Sequence, residues 1–159
     1  MVFWNTHRQR RLLALAVAAF ACLPAAAGPR VLAIDGTSAG LQAAPQRRGE
    51  IEQMLQAWKL AWELGEADTY LRFYAPDFRG DARSRADWER TRRARLARRR
   101  ISVELESLRI RLLGDSEAEV SFTQRYAAGG HRDTGAKRLR LQRIGGAWRI
   151  TGETWAQGS

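Results

Sequence analysis

The sequence predicts an α+β domain: three helices packed on a strongly curved antiparallel sheet of about four strands. Two observations carry this. Apolar residues recur at three- and four-residue steps between Ile51 and Leu96, then alternate with a period of two from Ile101 onward. The helical stretch precedes the strands instead of alternating with them, and such an order gives an antiparallel sheet with helices on one face. A chain of 159 residues has room for one such core. Its 45% hydrophobic and 28% charged residues exclude a disordered, collagenous or multi-span membrane protein.

The first helix of the domain is expected from about Glu50, where Ile51, Met54, Leu55, Trp58, Ala61 and Trp62 form one apolar face, to Gly65 at the position after its end. A second, Ala67 to Tyr74, offers Tyr70, Leu71, Phe73 and Tyr74 to a core before Pro76 stops it. Ser84 with Asp87 approximates a capping box for a third helix from Arg85 to about Arg99, whose inward side holds little besides Trp88 and Leu96. In the first strand Ile101, Val103 and Leu105 share one parity, and Leu108, Ile110 and Leu112 share the other. A bulge near Glu106-Ser107 reconciles them. The second strand turns Ala118, Val120, Phe122 and Tyr126 to one face. A third carries Leu139 and Leu141, Gly145-Gly146 forms a tight hairpin, and the last runs from Trp148 and Ile150 through Trp155.

Ahead of this domain, residues 1–27 have a basic start (Arg8, Arg10, Arg11), an apolar run from Leu12 to Leu23, and Ala25-Ala26-Ala27. This is the layout of a secretory signal peptide cleaved after Ala27, and it predicts a periplasmic or secreted protein. An uncleaved anchor, a twin-arginine signal and a lipoprotein modified at Cys22 are the competing readings. Residues 28–49 lack a sustained period and read as a flexible leader, and residues 50–157 as the folded domain.

Cleavage would leave 132 residues with no cysteine and one histidine, His131, which follows Gly129-Gly130 and reads as a solvated loop residue. Thiolate catalysis and cysteine-ligated zinc are then excluded, and no metal or cofactor is expected. Charge is the strongest compositional signal. The whole chain carries +10, and 25 of its 27 cations are arginine; removing residues 1–27 takes away three cations and no acid, leaving +7. Ten arginines against three acids between Arg79 and Arg100 account for that entire excess. Guanidinium forks suit carboxylates and phosphates, so Arg92, Arg93, Arg95, Arg98 and Arg99 are the candidate anion-binding residues. The competing reading is a solvated arginine-rich face. Export sets nucleic acid aside and leaves peptidoglycan or lipid as the anionic partner.

Candidate acids are fewer. Asp77, which follows Pro76 between aromatics, is the carboxylate best placed for a pocket mouth, although it reads first as a helix-end or turn residue bonded to backbone; Asp81, Glu104 and Glu106 are further acids, for which an exposed strand or loop position is the default. No pair of acids has a spacing that demands acid/base work. The aromatics Trp58, Trp62, Tyr70, Tyr74, Phe78 and Trp88 fall on inward faces, where they build core and could also line a pocket for a small apolar or sugar ligand.

Trp58 and Trp62, the run Phe73-Tyr74-Ala75-Pro76-Asp77-Phe78, Ser84-Arg85 with Trp88 and Arg92-Arg93, and Gly146-Ala147-Trp148-Arg149-Ile150 together resemble the nuclear transport factor 2-like (SnoaL-like) superfamily. Within it, the chain is most similar to the C-terminal domain of exported L,D-transpeptidases and tetratricopeptide-repeat proteins. The resemblance covers the folded chain and implies a cone-like fold with a pocket. It does not bring transpeptidase chemistry, because that needs a cysteine nucleophile. Similarity to ketosteroid isomerases places Trp58 at the oxyanion-hole tyrosine and Ala82 at the general base, with Asp81 one residue away, so the essential pair is not visible. The reading that results is an exported, non-catalytic binding or accessory module of the cell envelope, docking anionic groups with its arginine helix. A small-molecule isomerase or cyclase using Asp77 or Asp81 is the alternative, and a homodimer through the exposed sheet face is a further expectation.

Overall fold

The computed structural model describes residues 35–97 and 100–158. The expected signal peptide and its cleavage site, leader residues 28–34, and Arg98 and Arg99 lie outside the described residues. Three helices, α1 (Asp35–Glu63), α2 (Ala67–Leu71) and α3 (Arg85–Leu96), precede four strands, β1 (Ser102–Leu112), β2 (Glu117–Ala128), β3 (His131–Ile144) and β4 (Ala147–Gln157). The strands form one antiparallel sheet in the order β1-β2-β3-β4, and the helices cover its concave face.

Helix α1 buries Ile51, Leu55, Trp58 and Ala61 in steps of three and four, as the sequence periodicity requires. It begins at Asp35, inside the stretch expected to be an irregular leader. The difference has a physical reason: this stretch is rich in Ala, Gln and Gly and lacks an apolar stripe, and Pro45 sits within it, so nothing in its pattern marks a helix. Its last residues touch the sheet, Arg47 pairing with Asp115 at 3.1 Å and Arg48 donating to the Ile110 carbonyl at 2.5 Å. Helix α2 is shorter than expected and ends at Leu71. Past it, Tyr74 forms a parallel bridge with Ile150, and the Ala75 amide donates to the Ile150 carbonyl at 2.9 Å. The Phe73–Phe78 segment therefore hangs on β4 and does not continue a helix.

Ser84 caps α3 by accepting the Asp87 amide at 3.1 Å. Arg85, in the first turn, donates to the carbonyls of Ala75 (2.5 Å), Phe78 (3.2 Å) and Leu71 (3.3 Å), which ties α3 to the loop beneath it. The expected bulge in β1 is present: the pairing shifts between Glu106 and Arg109, and Ser107 takes φ of 55°. Gly145 and Gly146, with φ of 58° and 82°, make the β3–β4 hairpin.

A second irregularity was not expected from the sequence. Arg140 pairs with Gly152 and Leu141 with Ile150, so Thr151 is an extra residue in β4. The slip reverses the parity of β4. Trp148 and Ile150 face the core, and beyond the bulge Glu153 and Trp155 face the same side. The floor of the functional site depends on this one inserted residue.

Candidate functional site

At the end of the concave face away from the β3–β4 hairpin, the helices and sheet part around a cavity of about 690 Å³. Trp62 of α1, Tyr70 of α2, and Arg92, Arg95 and Leu96 of α3 line one side. Gln124 and Tyr126 of β2, His131, Asp133 and Lys137 of β3, and Glu153 and Trp155 of β4 line the other. Pairing fixes the layout of the sheet side. Lys137 stands opposite Trp155, Gln124 opposite Gly135, and Tyr126 opposite Asp133.

Glu153 is the centre of the site. Its Oε1 accepts from Lys137 Nζ at 2.5 Å and from Arg92 at 3.3 Å, while its Oε2 accepts the Tyr74 hydroxyl at 2.9 Å. Since Tyr74 gives its proton to Glu153, the 2.6 Å contact between the Tyr70 and Tyr74 hydroxyls has Tyr70 as donor, and Trp58 Nε1 also donates to Tyr74 at 3.3 Å. Five elements, α1, α2, α3, β3 and β4, are thus joined through one buried chain. Burial alone would raise the Glu153 carboxyl. The charges of Lys137 and Arg92, with the hydrogen bonds from Lys137 and Tyr74, outweigh it and hold the group below its usual range. Burial pushes the Tyr70 phenol up to about 12 and raises Tyr74 as well, with the Glu153 charge adding to both. At neutral pH the cluster therefore holds one carboxylate, two neutral phenols and two cations.

Two cations on one carboxylate leave a positive excess on the floor of a partly enclosed cavity. The Lys137 and Glu153 side chains are 6% and 10% exposed. Among the described residues each cation spends one hydrogen bond, on Glu153, although an ammonium has three donors and a guanidinium five. Trp155 lies 5.4 Å from Lys137 Nζ, and Trp88 lies 5.6 Å from the Arg92 guanidinium carbon. Trp155 comes this close because residue 135 is glycine: a Cβ there would collide with the Ala156 carbonyl and sit 2.8 Å from the indole. Such a floor can hold the oxygens of an incoming anion by charge-assisted hydrogen bonds.

The residues singled out from the sequence separate into three groups. The six aromatics form one continuous cluster of mostly tilted rings, with centroids 5.3 Å apart for Trp58–Trp62 and Tyr70–Tyr74, and 4.7 Å for Tyr74–Trp88. Only Trp62 and Tyr70 line the cavity. Trp58, Tyr74 and Trp88 are buried core behind it, and Phe78 faces a separate concavity. Asp77 and Asp81 border that second concavity, both exposed; Glu153 lines it as well, but its hydrogen-bond partners among the described residues are Lys137, Arg92 and Tyr74, and not these residues. Of the five candidate arginines, the three described ones do not share one face. Arg92 points inward, its side chain 19% exposed, and Arg95 lies at the cavity rim, whereas Arg93 points outward and pairs with Asp68 at 2.7 Å. His131 opens β3 at the cavity mouth and is not in a loop. The sequence reading missed Lys137, Glu153, Gln124 and Asp133. Lys137 had one available signal, since its parity on β3 matches Leu139 and Leu141.

Helices folded over the concave face of a bent, unclosed four-stranded sheet, with a cavity at the open end, define the nuclear transport factor 2-like class. Residues 50–154 match the model of the Cds6 C-terminal NTF2-like domain, and the chain belongs to that family. No curated protein matches the sequence. Among solved structures, Bd1075 of Bdellovibrio bacteriovorus is 25% identical with a TM-score of 0.65, covering 72% of this chain and 41% of that one. The helical cell shape determining protein Pgp2 of Campylobacter jejuni is 20% identical with a TM-score of 0.55, over 64% of this chain and 38% of that one. A candidate scytalone dehydratase of Novosphingobium aromaticivorans is 12% identical with a TM-score of 0.66, over 75% of this chain and 89% of that one. At these identities the last two show the fold alone, and this chain spans about two fifths of the length of Bd1075 and Pgp2.

Proposed function

We propose that this domain is a non-catalytic binding module of the cell envelope whose cavity, and not the outer face of its arginine-rich helix, takes anionic groups of peptidoglycan. The observation that carries the reading is the pair Arg92 and Lys137 sharing one carboxylate in a partly enclosed site, with donors to spare. The partner assignment rests on the signal-peptide layout of residues 1–27, and on the name of one structural neighbour as a cell shape determining protein. Peptidoglycan supplies peptide carboxylates for the cations and sugar rings for the aromatic walls at Trp62, Tyr126 and Trp155. The non-catalytic part is supported by Glu153. A general base works best near the operating pH, and a carboxylate held below its usual range by two cations is a poor proton acceptor there.

The test is co-sedimentation with isolated sacculi and, separately, with anionic lipid vesicles, each at low and high salt. Sacculus binding that persists in salt, and that Lys137→Met reduces about tenfold, is expected, because a shaped and partly buried site is screened less than surface charge. Binding to both materials that vanishes in salt would reduce the interaction to net charge. No binding to sacculi would overturn the wall assignment.

A further inference from the structure

The cavity is not uniformly cationic. Passing along its sheet side from Lys137, the next inward residues are Gln124 on β2 and Asp133 on β3. Gly135 is the direct partner of Gln124, and Lys137 and Asp133 flank Gly135 by two residues on either side. Gln124 therefore sits between a cation and an anion, each a diagonal neighbour on the same face at roughly 7–8 Å between backbones. Gln124 is 5% exposed. Among the described residues, neither its Oε1 nor Asp133 Oδ1 accepts a hydrogen bond, although both atoms are shielded from solvent. A desolvated acceptor without a donor costs free energy comparable to a lost hydrogen bond, and a carboxylate oxygen costs more. Two such acceptors side by side in a cavity wall call for a donor from outside the chain.

We infer that the cavity recognises an amino carboxylate: the carboxylate of the ligand on Lys137 and Arg92, and its ammonium on Gln124 Oε1 and Asp133 Oδ1. The inference rests on the anion-binding reading above and adds the second pole. It makes the site selective, because an anion without the ammonium leaves Gln124 and Asp133 unpaired, and an amine without the carboxylate meets the positive end of the cavity. Trp155, beside Lys137 and over Gly135, lies along the path between the poles.

Titration of the protein with ε-aminocaproate, caproate and hexylamine, read by the indole signals of Trp62 and Trp155, separates the two layers of the argument. ε-Aminocaproate is expected to bind about tenfold more tightly than caproate, and hexylamine weakest, since a charge-assisted pair is gained or lost at each pole. Asp133→Asn, and separately the similarly sized Gln124→Leu, should bring ε-aminocaproate to the level of caproate, with caproate bound no more weakly than by the parent because neither variant removes a cation. Equal binding of ε-aminocaproate and caproate overturns the inference and leaves the anion site standing. Failure of both carboxylates to bind overturns the anion site and the inference with it. The source of the ligand is read by adding ε-aminocaproate to protein held on sacculi. Release assigns the bound amino carboxylate to the wall, and retention assigns the cavity to a soluble one.

Discussion

The two ends of the concave sheet face are built from the same strands and behave oppositely. Toward the hairpin, β2, β3 and β4 contribute Ala118 and Val120, Leu139 and Leu141, and Trp148 and Ile150, all buried against Ile51 and Leu55. Toward the open end the same strands contribute Gln124 and Tyr126, Lys137 and Asp133, and Glu153 and Trp155. The closed end could exchange one aliphatic residue for another of equal volume and keep its role. The open end buries a lysine, a carboxylate and an unpaired amide where apolar residues would serve stability as well. A fold retains such groups at a cost, and that cost is the physical mark of a site.

Variants sharpen the contrast, beginning with the largest effect. Leu139→Ala should destabilise the domain by about 2–5 kcal/mol in denaturant unfolding, because it opens a cavity in fully buried packing. Glu153→Gln should cost less, about 1–3 kcal/mol, by leaving Lys137 and Arg92 without their counter-charge. The same variant has a signature that a packing defect lacks. With its folded pKa below the unfolded value, Glu153 contributes stability that is complete above the unfolded pKa and is lost as pH falls through the folded one. In Glu153→Gln the decline in stability as pH falls below about 5 should flatten.

Tyr70 has the opposite sign. Its pKa is raised from 10.0 to about 12, so its contribution is complete below 10.0 and disappears as pH rises toward 12. Tyr70→Phe should cost about 1 kcal/mol at neutral pH, for the hydrogen bond to Tyr74, and should shrink the alkaline loss of stability. Gln124→Leu is the smallest change. It should alter stability by less than about 1 kcal/mol, with gain as acceptable an outcome as loss, because it removes a buried acceptor without a partner.

The closed end was legible in the sequence and the open end was not. Period-two alternation announces Val120, Leu139 and Ile150, and a phase slip between Leu105 and Leu108 announces the β1 bulge. No comparable apolar pattern crosses the β4 bulge, where Thr151-Gly152-Glu153 reads as ordinary polar strand, so the turn of Glu153 into the interior follows only from the pairing with Arg140 and Leu141. Lys137 is legible by parity alone, and polar residues at inward parity are usually discounted as exposed. The arginine cluster was visible as composition, but composition carries no direction. Helical rotation sends Arg92 to Glu153 and Arg93 to Asp68, one residue apart and on different sides.

That divergence gives the most direct test. Two variants, Lys137→Met in the cavity and the surface pair Arg90→Gln with Arg93→Gln, should be compared side by side for binding to sacculi at high salt. The cavity variant is predicted to lose about tenfold in affinity while the surface variant binds as the parent does, since exposed charges are screened and the enclosed site is not. Loss of binding in the surface variant, with Lys137→Met unaffected, would place recognition on the outer face of α3 and contradict the account.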